Sequence, residues 1–183
     1  MSKTTGILET ERLHLVDFTA AHLDDFAAMN ADPQVMEFFP ATQSRAQSAA
    51  LLDRIIAHRA THGYSLFALH LKSDDRFIGF TGLLHADFEA HFTPAVEIGW
   101  RFQRFAWGQG LGPEAARACL GFGFETLGLE EIVSFTARIN LRSVRVMQKI
   151  GMQNDPADDF DHPNLAAGDR LRRHVLYRVR RPK

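Results

Sequence analysis

Apolar positions alternate with polar ones along Leu13-His14-Leu15-Val16-Asp17-Phe18, which predicts a first strand. Thr19 then offers an N-cap for a helix carrying Leu23, Phe26 and Ala27 on one face and stopped by Asp32-Pro33. Ser44-Arg45-Ala46-Gln47 has the spacing of a capping box and opens a second helix, with Leu51, Leu52, Ile55 and Ile56 inward and Gly63 at its end. Tyr64 to Leu71 and Phe77 to Leu84 form two strands joined at Ser73-Asp74-Asp75, an antiparallel hairpin. A loop containing Pro94 leads to a fourth strand, Ala95 to Phe102, followed by a glycine-rich turn and a helix from Pro113 to Leu127 closed by Gly128. Ile132 to Ala137 is a fifth strand, and Leu141 to Ile150 a helix ended by Gly151. Beyond it lie an acidic loop, Asn154 to Asp161, and a last strand around His174 to Val179.

The resulting order, β-α-α-β-β-β-α-β-α-β, contains a β-α-β unit and predicts an α/β fold, a mixed sheet covered by helices. No repeat, low-complexity stretch or linker divides the chain, so residues 1–183 are expected to form a single domain.

Composition narrows the class without changing this picture. A formal charge of -1 supplies no overall field for nucleic acid or an acidic membrane. Met1 to Thr10 is polar and lacks the apolar core of a secretory signal, and no apolar run reaches the length of a membrane span. Cys119 is the only cysteine, which excludes an intramolecular disulfide and fits a reducing cytoplasm. A cytoplasmic protein without nucleic-acid or membrane partners is expected, and a homodimer is compatible with it.

The most informative segment is Trp107-Gly108-Gln109-Gly110-Leu111-Gly112-Pro113, between a strand and a helix. A helix start leaves its first amides unpaired at the positive end of the dipole, and alternate glycines let an anion approach the backbone. The segment therefore suits a phosphate or pyrophosphate, the alternative being a tight turn with no ligand. Neither common nucleotide motif fits. There is no Gly-x4-Gly-Lys-Ser/Thr run, and G-x-G-x-G lacks the dinucleotide spacing and the acid after the next strand, which ends Thr136-Ala137-Arg138.

Val96-Glu97-Ile98-Gly99-Trp100, the glycine turn, Pro113-Glu114-Ala115-Ala116-Arg117, and Asn140-Leu141-Arg142-Ser143 ending in Lys149-Ile150-Gly151-Met152 together resemble the GNAT acetyltransferases. With Leu8-Glu9-Thr10-Glu11-Arg12-Leu13, they look closest to the branch of the ribosomal-protein alanine N-acetyltransferases, the RimJ/RimL type. The resemblance implies a GNAT fold: a mixed sheet of about seven strands whose fourth and fifth strands splay to admit pantetheine. It implies acetyl-CoA as cosubstrate and no metal. Main-chain amides of Gly108, Gln109, Gly110, Leu111 and Gly112 would hold the pyrophosphate, and main-chain groups of Trp100 and Phe102 would pair with the pantetheine arm. Two positions depart from the broad pattern. Trp107 stands where Arg or Gln is usual, and Pro113 removes one amide donor.

Acetyl transfer to an amine needs a base, because α-amino groups and lysines have pKa values of about 8 and about 10. Glu97 interrupts an apolar strand beside Gly99 and is the candidate, the alternative being a carboxylate paired with an arginine. A main-chain amide near Trp100 is the expected oxyanion donor. Asn140 and Ser143, at N-x-x-S, are ordinary helix-start residues; the resemblance makes Asn140 a coenzyme contact and Ser143 both a coenzyme contact and an acid for the leaving thiolate. Tyr64 and Tyr177, the only tyrosines, do not lie where the family often places that acid.

Other clusters carry less. His58 and His62 lie at i, i+4 without the glutamate of H-E-x-x-H, which favours a solvated helix face. Asp155, Asp158, Asp159, Asp161 and His162 lack an EF-hand's glycine and glutamate and are expected to be balanced by Arg170, Arg172 and Arg173. Cys119, among Ala115, Ala118 and Phe122, belongs to the core. An N-acetyltransferase acting on a primary amine, a protein N-terminus or a small molecule, is the leading expectation, and a non-catalytic acyl-CoA sensor the other. Met36 to Gln43 and Ala86 to Pro94 are the loops expected to build the acceptor pocket.

Overall fold

A computed structural model describes residues 7–182 of the chain. The polar N-terminal stretch read as lacking a signal therefore lies, from Met1 to Gly6, outside the described residues. The strands are β1 (Leu8–Glu9), β2 (Leu13–Asp17), β3 (Leu66–Leu71), β4 (Phe77–His85), β5 (Val96–Phe102), β6 (Glu131–Ala137), β7 (Gln153–Asn154), β8 (Phe160–Asp161) and β9 (Arg173–Arg180). The helices are α1 (Leu23–Ala31), α2 (Arg45–His62), α3 (Leu111–Gly121) and α4 (Leu141–Lys149). The strands run β1-β2-β3-β4-β5-β6-β9-β7 across one sheet, with β8 also on β9. Among the described residues three of the nine have only two residues and six are longer, bracketing the seven or so expected. With β1 counted, the predicted fourth and fifth strands are β5 and β6.

Helix ends follow the local chemistry. The Ser44 hydroxyl accepts from Gln47 N at 3.2 Å while the Gln47 side chain accepts from Ser44 N at 2.8 Å, and Gly63 closes α2 with φ 76°. Thr19 N donates to His22 Nδ1 at 2.9 Å at the turn entering α1. In α2 the buried stripe is Ser48, Leu52 and Ile55, while Leu51 is half-buried and Ile56 faces outward, against the expected inward set. Ile56 lies at the edge of that face and is 37% exposed.

Both sheet faces are covered. Ile98, Trp100 and Phe102 of β5 pack with Leu111, Ala115 and Cys119 of α3 and Met147 of α4. On the opposite face, Phe26 and Met29 of α1 and Leu52 and Ile55 of α2 lie on Val16, Leu66, Ala68 and Phe80. Each fully buried Val, Leu, Ile, Phe or Met among them contributes about 1.5–3 kcal/mol. Because side chains alternate along β5, Glu97, Gly99 and Arg101 face the α1–α2 side. Among the described residues no helix is long and apolar enough to cross a membrane.

Candidate active site

All strand pairs are antiparallel except β5 and β6, which are parallel and in register only at Glu97↔Val133. Just beyond that bridge, Ser134 Oγ donates to Ile98 O at 2.9 Å. The strands then part. Gly99 to Phe102 on one side and Ser134 to Ala137 on the other wall a cleft of about 720 Å³ that passes between the two sheet faces. Ile98 O points into this gap, and so does Phe102 O, which accepts from Trp107 Nε1 at 2.9 Å. Strand alternation puts the main-chain groups of Trp100 on the same edge, where β5 has no β6 partner.

The glycine turn stands at one end of the cleft. Helix α3 begins at Leu111, two residues before the expected Pro113, because Gly110 takes the left-handed N-cap conformation at φ 77°. Pro113 thus sits in the first turn, where its missing N–H breaks no helical bond. The first such bond runs from Glu114 N to Gly110 O at 3.2 Å, leaving the amides of Gly110, Leu111 and Gly112 ahead of it. Gly108 is also left-handed, at φ 74°, with open space where a side chain would begin. A Cβ on Gly112 would approach the Phe102 ring to 3.4 Å. This is a bare, amide-lined cradle of the kind an anionic pyrophosphate fits. Trp107, Gly108, Gly110 and Gly112 line the cleft. Gln109 turns away, donating from its side chain to Phe105 O at 2.5 Å, and the Leu111 side chain is core, so these two offer only main-chain groups. The predicted helix to Leu127 is α-helical only to Gly121; Phe122–Thr126 form a wider π turn.

Arg12 buttresses the turn. It donates to Gln109 O at 2.9 Å and to Glu114 Oε2 at 2.7 Å, while Thr10 Oγ1 reaches Glu114 Oε1 at 2.6 Å. Partial burial opposes ionisation of Glu114, but the hydrogen bonds from Thr10 and Arg12 outweigh it and hold the carboxyl below its ordinary value.

Glu97 lies in the cleft one bridge below the splay. It is half-buried, its remaining exposure being to the cleft, and this desolvation pushes its carboxyl up to about 8. No hydrogen bond or ion pair to it occurs among the described residues, so the arginine partner of the alternative reading is absent. Arg101, on the same strand face, instead donates to Asn30 Oδ1 and stacks on Phe39 at 4.1 Å.

Ser143 lies across the gap in the first turn of α4. Asn140 caps that helix, accepting from Ser143 N at 3.3 Å and donating through Nδ2 to Thr136 Oγ1 at 3.0 Å and Ser143 Oγ at 3.1 Å. Trp100 Nε1 donates to the same Oγ at 3.3 Å. The structure therefore brings Glu97, Trp100, Phe102, Trp107, Asn140 and Ser143 to one cleft. Tyr64 and Tyr177 lie away from it: the Tyr64 hydroxyl contacts His85 at 3.2 Å, and that of Tyr177 accepts from Gln148 at 3.5 Å.

Several lining residues escaped the sequence reading. Arg142 stacks on Trp107 at 4.3 Å and pairs with Glu37, and Arg170 donates to Glu37 O, so two cations hold the α1–α2 loop over the cleft. Arg145 and Lys149 add positive charge on the α4 side. Phe135, His162 and His174 join Phe38, Phe39 and Phe80 as an aromatic wall. Glu97 is the one carboxylate among the described lining residues. The clusters of lesser promise also resolve. Phe88 and Phe92 of the second expected acceptor loop pack with Phe135 and Phe160 behind the cleft rather than lining it. Asp158 pairs with Arg178, and Asp161 with Arg172 and Arg173, but Arg170 is drawn to Glu37. Cys119 is buried, its thiol pushed up to about 12 by desolvation, as a core residue should be. His58 is half-buried against Tyr64 and His85, not on a solvated face.

Residues 12–153 match the family described as the acetyltransferase (GNAT) domain. The chain is 31% identical over 127 residues to the Bacillus subtilis protein YkkB, covering 69% of this chain and 73% of that one. Its fold matches the Bacillus anthracis acetyltransferase (GNAT family), with TM-score 0.77 at 22% identity over 94% of this chain and 97% of that one. It also matches the spermidine N-acetyltransferase of Vibrio cholerae in complex with CoA and spermine, with TM-score 0.72 at 16% identity over 92% and 95%.

Proposed function

Since the chain belongs to the GNAT acetyltransferase family and is an acyltransferase, we propose that it is a single-domain cytoplasmic enzyme that acetylates an α-amino group. The acetyl donor is acetyl-CoA, which supplies an activated thioester. The amides of Gly108 to Gly112 hold its pyrophosphate, helped by Arg145 and Lys149, and the exposed edge of β5 at Trp100 and Phe102 aligns its pantetheine arm. Phe102 pairs chiefly through its N–H, because its carbonyl already accepts from Trp107. The Trp100 amide stabilises the oxyanion.

Glu97 takes the amine proton as nitrogen attacks, and Ser143 gives its hydroxyl proton to the departing sulfur. The observation that carries this reading is an unpaired carboxyl at about 8 inside the cleft. A carboxyl raised by burial toward neutral pH suits general-base work on an amine. A polyamine would require carboxylates to bind its other charges, and the aromatic wall with one carboxylate does not supply them. The single lining carboxylate supports an N-terminal or other α-amine acceptor over a polyamine, in keeping with the RimJ/RimL-type sequence features.

The test is incubation with acetyl-CoA and a panel of peptides, amino acids, lysine side-chain analogues and polyamines, with products read by mass spectrometry. Acetylated α-amines should dominate. A preference for spermidine would overturn the acceptor assignment, and coenzyme binding without turnover on any amine would favour a sensor.

A further inference from the structure

Away from the cleft, α2, β3 and β4 bring three histidines together. His58 and His62 lie one turn apart at the end of α2, and His85 ends β4. One ring nitrogen from each lies within 4.8 Å of the others among the described residues. Ring centroids are 4.3 Å apart for His58–His62 and 4.4 Å for His62–His85. None of the three lines the cleft.

The tautomer of His58 follows from its neighbour. Nδ1 is 2.9 Å from the carbonyl oxygen of Tyr64, which can only accept, so Nδ1 carries the hydrogen and Nε2 bears the lone pair. A ring nitrogen held by a backbone carbonyl is the usual support for a metal-binding imidazole. His58 Nε2 lies 3.3 Å from His85 Nδ1. Two nitrogens bound to one tetrahedral ion at about 2.0–2.1 Å stand about 3.3–3.4 Å apart, so this pair has the required spacing, and the ion would replace the long bond that His85 N now donates to His58 Nε2 at 3.4 Å. His62 is exposed and can rotate to close the third position.

We propose that His58, His62 and His85 form a three-imidazole site for a divalent transition-metal ion, zinc foremost, that clamps the end of α2 to the end of β4. Imidazole donors suit zinc, copper and nickel and exclude calcium and magnesium. The role is structural, tying α2 to β4, whose Leu84, next to His85, is paired with Glu97 on β5.

The experiment uses the full chain freed of any affinity tag, incubated with zinc chloride and desalted, with bound zinc measured by atomic spectroscopy. About one zinc per chain is expected, together with a rise in melting temperature that EDTA reverses. His62→Ala, at an exposed position that should not disturb folding, and His85→Ala should each drop the ratio several-fold. The coenzyme-induced melting shift checks that each variant is folded. A wild-type ratio near zero, or a folded His62→Ala protein that still retains one zinc, would overturn the proposal.

Discussion

The indole Nε1 of Trp100 on β5 lies 3.3 Å from Ser143 Oγ on α4, joining the two walls of the cleft across the splay. Asn140 Nδ2 donates to the same oxygen from 3.1 Å. A serine oxygen has two lone pairs and one hydrogen; with both pairs engaged, the hydrogen is left to face the cleft that Ser143 lines.

Ser143→Ala should therefore lower kcat by about 10²-fold while the KM for acetyl-CoA stays near wild type, since what is lost is proton donation in the transition state. Trp100→Phe, which frees one lone pair but leaves the hydroxyl, should lose far less. Steady-state kinetics on the two variants decides this, and equal losses would count against Ser143 as the acid.

Arg12 should matter to the coenzyme turn although it lies about a hundred residues away in sequence. Arg12→Gln removes the charge on Glu114 Oε2 and the bond to Gln109 O. The folded pKa of Glu114 is depressed, so its stabilisation is fully present above the ordinary 4.5 and is lost as pH falls below that, through the lowered folded value. The variant should melt lower at pH 7, converge toward wild type as pH falls well below the ordinary 4.5, and show a smaller acetyl-CoA-induced shift. Melting curves across pH check all three.

Where a local signal fixes an element, the sequence was enough. Ser44 with Gln47 and Gly63 marked both ends of α2, and the capping and glycine signals around α4 did the same. The gap between β5 and β6 left no such mark. A missing ladder is a property of two strands separated by α3, and the family resemblance rather than any residue pattern announced it. Arg12, Arg142 and the wall of Phe135, His162 and His174 were invisible for the same reason: each acts through partners distant in sequence. The start of α3 was misplaced because Pro113 is a strong helix-start signal, yet Gly110 at φ 77° caps the helix so that it begins two residues sooner.

Two glycines of one helix should respond oppositely to alanine. Gly110 holds a left-handed conformation, so Gly110→Ala should cost about 1–2 kcal/mol, a fall of a few degrees in melting temperature, and weaken coenzyme binding. Gly121 has ordinary helical φ of -55° and open space around a new Cβ, so Gly121→Ala should gain about 0.5–1 kcal/mol with coenzyme binding unchanged. Thermal melts with and without CoA separate backbone strain from the loss of the anion cradle.

Glu97→Gln tests the base and the energetics of its burial together. The amide keeps the shape of the side chain but cannot accept the proton, so turnover should fall by about 10²–10⁴-fold with coenzyme binding retained. In the wild type, kcat/KM should rise with pH near 8 as both the free enzyme's Glu97 and the free α-amine lose a proton, and the variant should keep only the amine's shallower limb. Stability should move the other way. The folded pKa is raised to about 8 from an ordinary 4.5, so the folded wild type holds a proton that the unfolded chain has released between those values. Its stability therefore declines as pH rises through that window, whereas the glutamine variant has no such slope. Glu97→Gln should consequently melt increasingly above wild type from pH 4.5 to 8, and the advantage should level off beyond. A carboxylate stabilised by an ion pair would give the opposite sign, with the variant melting lower at neutral pH. A stable variant with wild-type turnover across this range, on a substrate whose chemical step limits the rate, would remove Glu97 from the mechanism.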